Sequence, residues 1–201
     1  MYSILLNIYV KDKTNASKLE IDVYDNKGRD VLPFLSQMRK KIKNYKYICH
    51  IHTKKTKYMN FADDWRHYLF NNLLGSHKII NEILTDFENN PKLGIIFPQN
   101  YYKIFLNYNI ILTDKDKTYM NYLLEKMLKN IDIGKRLDFP MGNMFWAKIR
   151  SIYQIFKIDI DYFFPIEENQ LDGTIMHAIE RIWLYLVKYN KYYYKKIFKH
   201  L

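Results

Sequence analysis

The chain has 201 residues, 48% of them apolar, and a formal charge of +11. This composition suits one globular domain with a full-sized core and excludes a disordered chain. The excess of lysine and arginine points to anionic partners: nucleotide phosphates, anionic lipid or nucleic acid. A lone cysteine, Cys49, excludes an internal disulfide framework and fits a reducing compartment.

Residues 3–10, with Ile4, Leu5, Leu6, Ile8 and Val10, read as a buried strand. The run is too short for a membrane span, and it lacks the basic flank and cleavage site of a signal peptide. Leu19, Ile21 and Val23 then alternate with Glu20, Asp22 and Tyr24, which is the period of a half-buried strand. The following loop holds Asn26 and Gly28, both tolerant of positive φ, and then Arg29 and Asp30. Val31, Leu32, Leu35, Met38 and Ile42 set a helical period with Asp30 in the N-cap place. Such a junction can hold an anion at the positive end of the helix. The plainer reading is an ordinary turn from strand to helix.

Residues 47–55 are the next strand and its exit. His50, His52 and Lys54 fall on one face, and Cys49, Ile51 and Thr53 on the other. Two readings stand here. His52, Lys54 and Lys55 meet a phosphate where the strand leaves the sheet, or this is a polar strand end with solvated lysines. Two histidines at this spacing also begin a metal site, but no third ligand accompanies them.

Asp63 and Asp64 open a helix with the stripe Trp65, Leu69, Leu73 and Leu74, and favour its positive end. Ser76 caps a second helix bearing Ile79, Ile80, Ile83, Leu84 and Phe87, which Pro91 stops. Residues 93–98 form a short buried strand. Asp114 and Asp116 have the acid-x-acid spacing that holds nucleotide-linked Mg²⁺ in some transferases. Their place just before the helical stripe Tyr119, Tyr122, Leu123, Met127 and Leu128 favours capping instead. Gly142 and Asn143, set among large apolar residues from Phe139 to Trp146, predict a close backbone approach to a ligand or a neighbouring strand. A short helix follows over residues 149–156.

The run from Phe164 to Arg181 gathers Glu167, Glu168, Gln170, Asp172, Thr174, His177, Glu180 and Arg181 around Gly173. An apolar helix then continues through Ile182, Trp183, Leu186 and Val187. A fold needs only the apolar half, so the polar half is a candidate site; the alternative is a buried ion network that fixes the last helix. His177 either orients a ligand or is a satisfied core histidine. Asp172, Glu180 and Arg181 cannot share one helix face, which gives Glu180 and Arg181 a structural part. Residues 188–201, rich in lysine and tyrosine, predict a basic aromatic helix or tail. It lies on an anionic membrane face or packs on the domain. Strands and helices alternate, so the class is α/β: one domain over residues 1–187, then the tail.

Four islands, at residues 26–35, 48–55, 139–146 and 167–181, together resemble the rhamnan synthesis protein F family over roughly residues 20–187. The resemblance implies a glycosyltransferase-like protein of bacterial cell-surface polysaccharide synthesis, cytoplasmic or peripheral at the inner face of the plasma membrane. The order of elements is also similar to a sugar-nucleotide transferase of the GT-A kind, a Rossmann-like mixed sheet flanked by helices, here shortened at its N-terminus. In that comparison residues 47–55 replace the strand that usually ends in an acid-x-acid metal motif. This chain has His52, Thr53, Lys54 and Lys55 there. No metal ligand is therefore assigned, a Mg or Mn cofactor is doubtful, and Lys54 and Lys55 would neutralise a donor diphosphate directly.

By the same resemblance, Asn26, Arg29, Asp30, His52, Lys54 and Lys55 bind a nucleotide-sugar donor. Gly142, Asn143, Trp146, Gln170, His177 and Arg181 line the side of a glycan acceptor. Asp172, with Glu168 and Glu167 as alternatives, takes the acceptor proton in an inverting transfer, with rhamnose a candidate sugar. A partner synthase subunit is the further expected contact. The competing class is a non-catalytic polysaccharide-binding or scaffolding subunit. A nucleic-acid binder is disfavoured because the lysines are scattered and no nucleic-acid motif is present.

Overall fold

The computed structural model describes residues 20, 22–24, 27–53, 60–107, 112, 114–128, 138–159 and 173–198. Leu93–Pro98, strand β2, has no polar side chain and is buried along its whole length. A strand without a wet face needs cover on both sides, and the fold supplies it. β2 sits inside a four-stranded sheet with β1 (Tyr47–His50), β3 (Phe145–Lys148) and β4 (Tyr193–Ile197), in the order β1-β3-β2-β4. β3 runs antiparallel to both β1 and β2, while β4 runs parallel to β2.

Seven helices are described: α1 (Val31–Lys41), α2 (Ala62–Leu74), α3 (His77–Asn89), α4 (Tyr102–Asn107), α5 (Asp114–Met127), α6 (Ile149–Ile152) and α7 (Ile175–Tyr189). Ile95, Phe97, Phe145 and Ala147 point to one side of the sheet, where α1, α5 and α7 bring Leu35, Leu123, Ile179 and Trp183. Leu93 and Ile96 belong to the other side, covered by Trp65, Leu69 and Leu73 of α2 and by Ile83 and Phe87 of α3. The result is three layers, helix on sheet on helix. Each large side chain so buried stabilises the fold by about 1.5–3 kcal/mol relative to exposure.

Local chemistry sets the joints. Ser76 caps α3 as expected, its Oγ accepting from the Ile79 N–H at 3.2 Å. Gly94 lets the β4 lead-in and α6 approach β2. A Cβ there would lie 2.7 Å from Tyr192 Cβ and 2.8 Å from Ser151 Cβ. The β2–β4 register shifts between Leu93 and Ile95 at this point.

The α/β class holds as a mixed open sheet with helices on both faces. Three expectations change. Residues 20 and 22–24 are irregular and Val23 is 75% exposed, so their alternation is not that of a strand. A half-buried pattern needs a sheet edge to pair with, and among the described residues β1 and β4 are the edges. Within residues 188–201, α7 ends at Tyr189 and Tyr193–Ile197 is β4, not a helix or loose tail. Lys191, at φ 63°, turns the chain back, and the backbone of the following tyrosines pairs with β2. The stretch Phe145–Lys148, which carried no strand expectation, is β3, and α6 begins directly after it with no turn residue to mark the end. The expected strand at residues 3–10 lies outside the described residues. No helix among the described residues is long and apolar enough to cross a membrane.

Candidate functional site

Three separate segments meet at the C-terminal end of β1. The first is the turn before α1. Gly28 and Arg29 are both left-handed, at φ 69° and 51°, and the Gly28 carbonyl accepts from the N–H groups of Val31 and Leu32, both at 3.1 Å. This turn places Asp30 in the N-cap position as expected, but its side chain makes no capping bond. The carboxylate turns inward instead, and Asn143 Nδ2 donates to Asp30 Oδ2 at 2.6 Å.

The second segment is the turn before β3. Gly142 and Asn143 are again left-handed, at φ 87° and 54°. The close approach expected of Gly142 is real, but it is to the Leu69 and Trp65 side chains of α2. Trp183 Nε1 on α7 donates to Asn143 Oδ1 at 2.8 Å. An indole N–H can only donate, so the amide orientation is fixed and Nδ2 faces Asp30. The third segment is β1 and its exit. His50 Nε2 and His52 Nε2 lie 3.8 and 3.7 Å from the same Asp30 Oδ2. His52 Nε2 also lies 2.8 Å from the Gly142 carbonyl oxygen. On the other side of that peptide turn, the Gly142 N–H donates to Glu180 Oε1 of α7 at 2.8 Å.

The two histidines differ sharply. His50 is 5% exposed and stacks on Phe34 with centroids 4.1 Å apart. Burial pushes its imidazole down to about 4, with Asp30 pulling the other way. It is neutral at physiological pH. His52 is half-buried. Burial acts to raise the Asp30 carboxyl, but the imidazoles of His52 and His50 and the Asn143 amide outweigh it and hold the group below the usual carboxylate range. Burial pushes the Cys49 thiol up to about 12, which disfavours the thiolate.

Two further networks flank this one. Arg29 Nη1 lies 3.0 Å from His177 Nε2, and His177 Nδ1 lies 2.7 Å from Thr174 Oγ1. A guanidinium can only donate, so Nε2 accepts and Nδ1–H donates to the threonine. His177 is thus a satisfied buried histidine that ties the start of α1 to the start of α7. Arg181 is 7% exposed and pairs at 3.4 Å with Asp116, which is fully buried. Asp116 is therefore a core anion on α5 and not a helix cap. Trp146 Nε1 donates to the Leu73 carbonyl at 3.1 Å, fastening β3 to the end of α2.

Of the residues expected in a site, Arg29, Asp30, His52, Gly142, Asn143 and His177 converge. Trp146 and Arg181 stand apart in packing roles. Asn26, Lys54, Lys55, Glu167, Glu168, Gln170 and Asp172 lie outside the described residues. The sequence pattern gives Trp183 only a core part, Glu180 a partly structural one, and His50 only that of an incomplete metal ligand. The signal for all three was present: His50 shares the strand face of His52, and Glu180 and Trp183 follow His177 at three-residue steps on α7. Asp30, His50 and His52 do not form a metal centre, because His52 Nε2 faces a carbonyl and Asp30 Oδ2 is held by an amide. No group of three or more His, Cys, Asp or Glu among the described residues fits a metal ion. Two concavities lie elsewhere, one of about 920 Å³ between α3 and β4 and one of about 420 Å³ between α5 and the turn after α6.

Comparison with known proteins gives a family. The one described as "Rhamnan synthesis protein F" matches residues 6–192. Proteins from two strains of Xanthomonas campestris pv. campestris, each described as "Uncharacterized protein WxcX", are 28% identical over 164 residues. The match takes in 81% of this chain and 23% of each relative, so the chain spans about a quarter of their length. No solved structure matches the chain.

Proposed function

This chain belongs to the rhamnan synthesis protein F family, a family of polysaccharide synthesis, and we propose that it transfers a sugar from a nucleoside-diphosphate donor to a growing cell-surface glycan. The observation that carries this reading is the meeting of Arg29, Asp30, His52, Gly142 and His177 at the end of β1. They come from segments far apart in the chain. The donor diphosphate lies against Arg29 and the positive end of α1, with Lys54 and Lys55 following His52 by two and three residues in sequence. Positive charge at this place stabilises the leaving diphosphate as the glycosidic bond forms. The sequence offers Asp172, Glu168 and Glu167 for deprotonating the acceptor. Rhamnose is the sugar that the family description suggests.

A specific observation favours a second reading. Asp30, Glu180, His177 and Arg181 are all engaged by neighbours within the fold, as they would be in a binding or scaffolding domain of a polysaccharide synthase. Calorimetric titration with a panel of nucleoside-diphosphate sugars, rhamnose donors included, separates the two. Saturable binding that survives EDTA and weakens in Lys54→Ala supports a metal-independent transferase. Binding that requires Mg²⁺ or Mn²⁺ moves the metal question to acids outside the Asp30 cluster. No binding to any donor removes the transferase reading and leaves the scaffolding one.

A further inference from the structure

We propose that His52, through Nδ1, is the general base that takes the proton of the attacking acceptor hydroxyl, with Asp30 as its positioning residue. This rests on the glycosyl-transfer reading and moves the base from the carboxylates of residues 167–172 to the end of β1.

The argument for His52 begins with its tautomer. The Gly142 carbonyl oxygen, 2.8 Å from Nε2, can only accept, so in the neutral ring Nε2 carries the hydrogen. The lone pair is left on Nδ1. That atom has no hydrogen-bond partner among the described residues, and the side chain keeps 19% of its surface in contact with solvent. The Asp30 carboxylate, 3.7 Å behind Nε2, faces the ring from the side opposite the open nitrogen. Asp30 is itself held by Asn143, whose amide is oriented by the buried Trp183 indole. The arrangement is a carboxylate, an imidazole with its inner nitrogen pinned and its outer nitrogen open, and a rigid second layer behind them.

The other two histidines of the cluster cannot play this part. His50 is buried beneath Phe34. His177 has both ring nitrogens in hydrogen bonds, to Arg29 and Thr174. In the step itself, the acceptor O–H proton passes to Nδ1 and the acceptor oxygen forms a bond to the anomeric carbon. The bond from that carbon to the phosphate oxygen breaks, and its electron pair leaves with the nucleoside diphosphate. The imidazolium then releases its proton to solvent.

The test uses the full chain with a nucleoside-diphosphate sugar and a glycan acceptor. His52→Gln keeps an N–H that can reach the Gly142 carbonyl but cannot take a proton. Its expected kcat is lower by about 10²–10⁴-fold. The limb of the kcat/KM profile that reports the base disappears. Independently of turnover, long-range ¹H–¹⁵N spectra should show neutral His52 protonated at Nε2 and bare at Nδ1. Transfer by His52→Gln at the unaltered rate overturns the assignment, as does a neutral ring protonated at Nδ1. Loss of transfer in Asp172→Asn with His52→Gln still active returns the base to the carboxylates and leaves the transferase intact. Absence of both donor binding and transfer in the unaltered chain overturns the assignment together with the reading beneath it.

Discussion

Replacing Gly142 by alanine tests the geometry of the whole site through one methyl group. Gly142 holds φ 87°, and a Cβ there would lie 2.9 Å from Leu69 Cδ1 and 3.1 Å from Trp65 Cζ2. Neither neighbour can swing into solvent, since Leu69 is 2% and Trp65 6% exposed. The left-handed backbone costs an L-residue about 1–2 kcal/mol. Forcing a methyl group into a packed core adds about 1–3 kcal/mol. Gly142→Ala should therefore destabilise the chain by roughly 2–5 kcal/mol, a large share of a total of about 5–15 kcal/mol. Urea unfolding followed by far-ultraviolet circular dichroism should show a lower midpoint with the slope unchanged. Leu69→Val removes the Cδ1 atom and costs about 1 kcal/mol alone. In the double variant the clash is partly relieved, so it should be more stable than the sum of the singles by about 1 kcal/mol. A loss below about 0.5 kcal/mol for Gly142→Ala, the range of an ordinary surface change, would refute the reasoning. So would strict additivity in the double variant.

Other consequences are as direct. Asp116→Ala removes one carboxylate that faces the buried Arg181 and should cost about 3–5 kcal/mol in the same assay; a cost under about 1 kcal/mol would remove the pair from the core. Ser76→Ala should cost about 1 kcal/mol through loss of the α3 cap. The acid side carries two contributions of the same sign. The unfolded chain protonates His50 near its ordinary value of 6.5 while the folded chain does so only near 4, so stability falls as pH drops through that window, by roughly 3 kcal/mol. Asp30, depressed in the folded state, adds stability that is present above its unfolded value and is lost as pH falls through the folded one. Unfolding midpoints measured across the acid range, from neutral pH down past both groups, should show a flattened upper part of the decline in His50→Leu and a flattened lower part in Asp30→Asn.

Much of this molecule is legible in the order of its residues. The helical stripes of Trp65, Leu69 and Leu73 and of Ile79, Ile83 and Phe87 name the buried faces of α2 and α3. The Ser76 cap, the Pro91 stop and the apolar run of β2 are local signals, and local physics suffices to read them. The α/β class follows from their alternation, and the membership in a polysaccharide-synthesis family follows from the islands. Period-two alternation misleads at residues 20 and 22–24 because a strand exists only where a partner edge does, and short-range pattern carries no information about edges. The tyrosines and lysines of β4 mislead in the opposite direction. Their composition suits a basic amphipathic helix, yet the Lys191 turn returns them to pair with the side of β2 that β3 does not occupy.

The site shows the same division. Sequence alone singled out Arg29, Asp30, His52, Gly142, Asn143 and His177 as residues with more chemistry than packing requires. It determined which groups exist and roughly where charge gathers. Only the tertiary structure decided how they are connected. Asp30 leaves its cap position to meet Asn143, Trp183 fixes the amide that holds it, Asp116 joins Arg181 in the core, and a carbonyl pins one nitrogen of His52. The physical reason is that a hydrogen bond depends on distance and direction over about 3 Å. The groups that form these bonds lie tens of residues apart, and nothing in their spacing along the chain encodes which of them will meet.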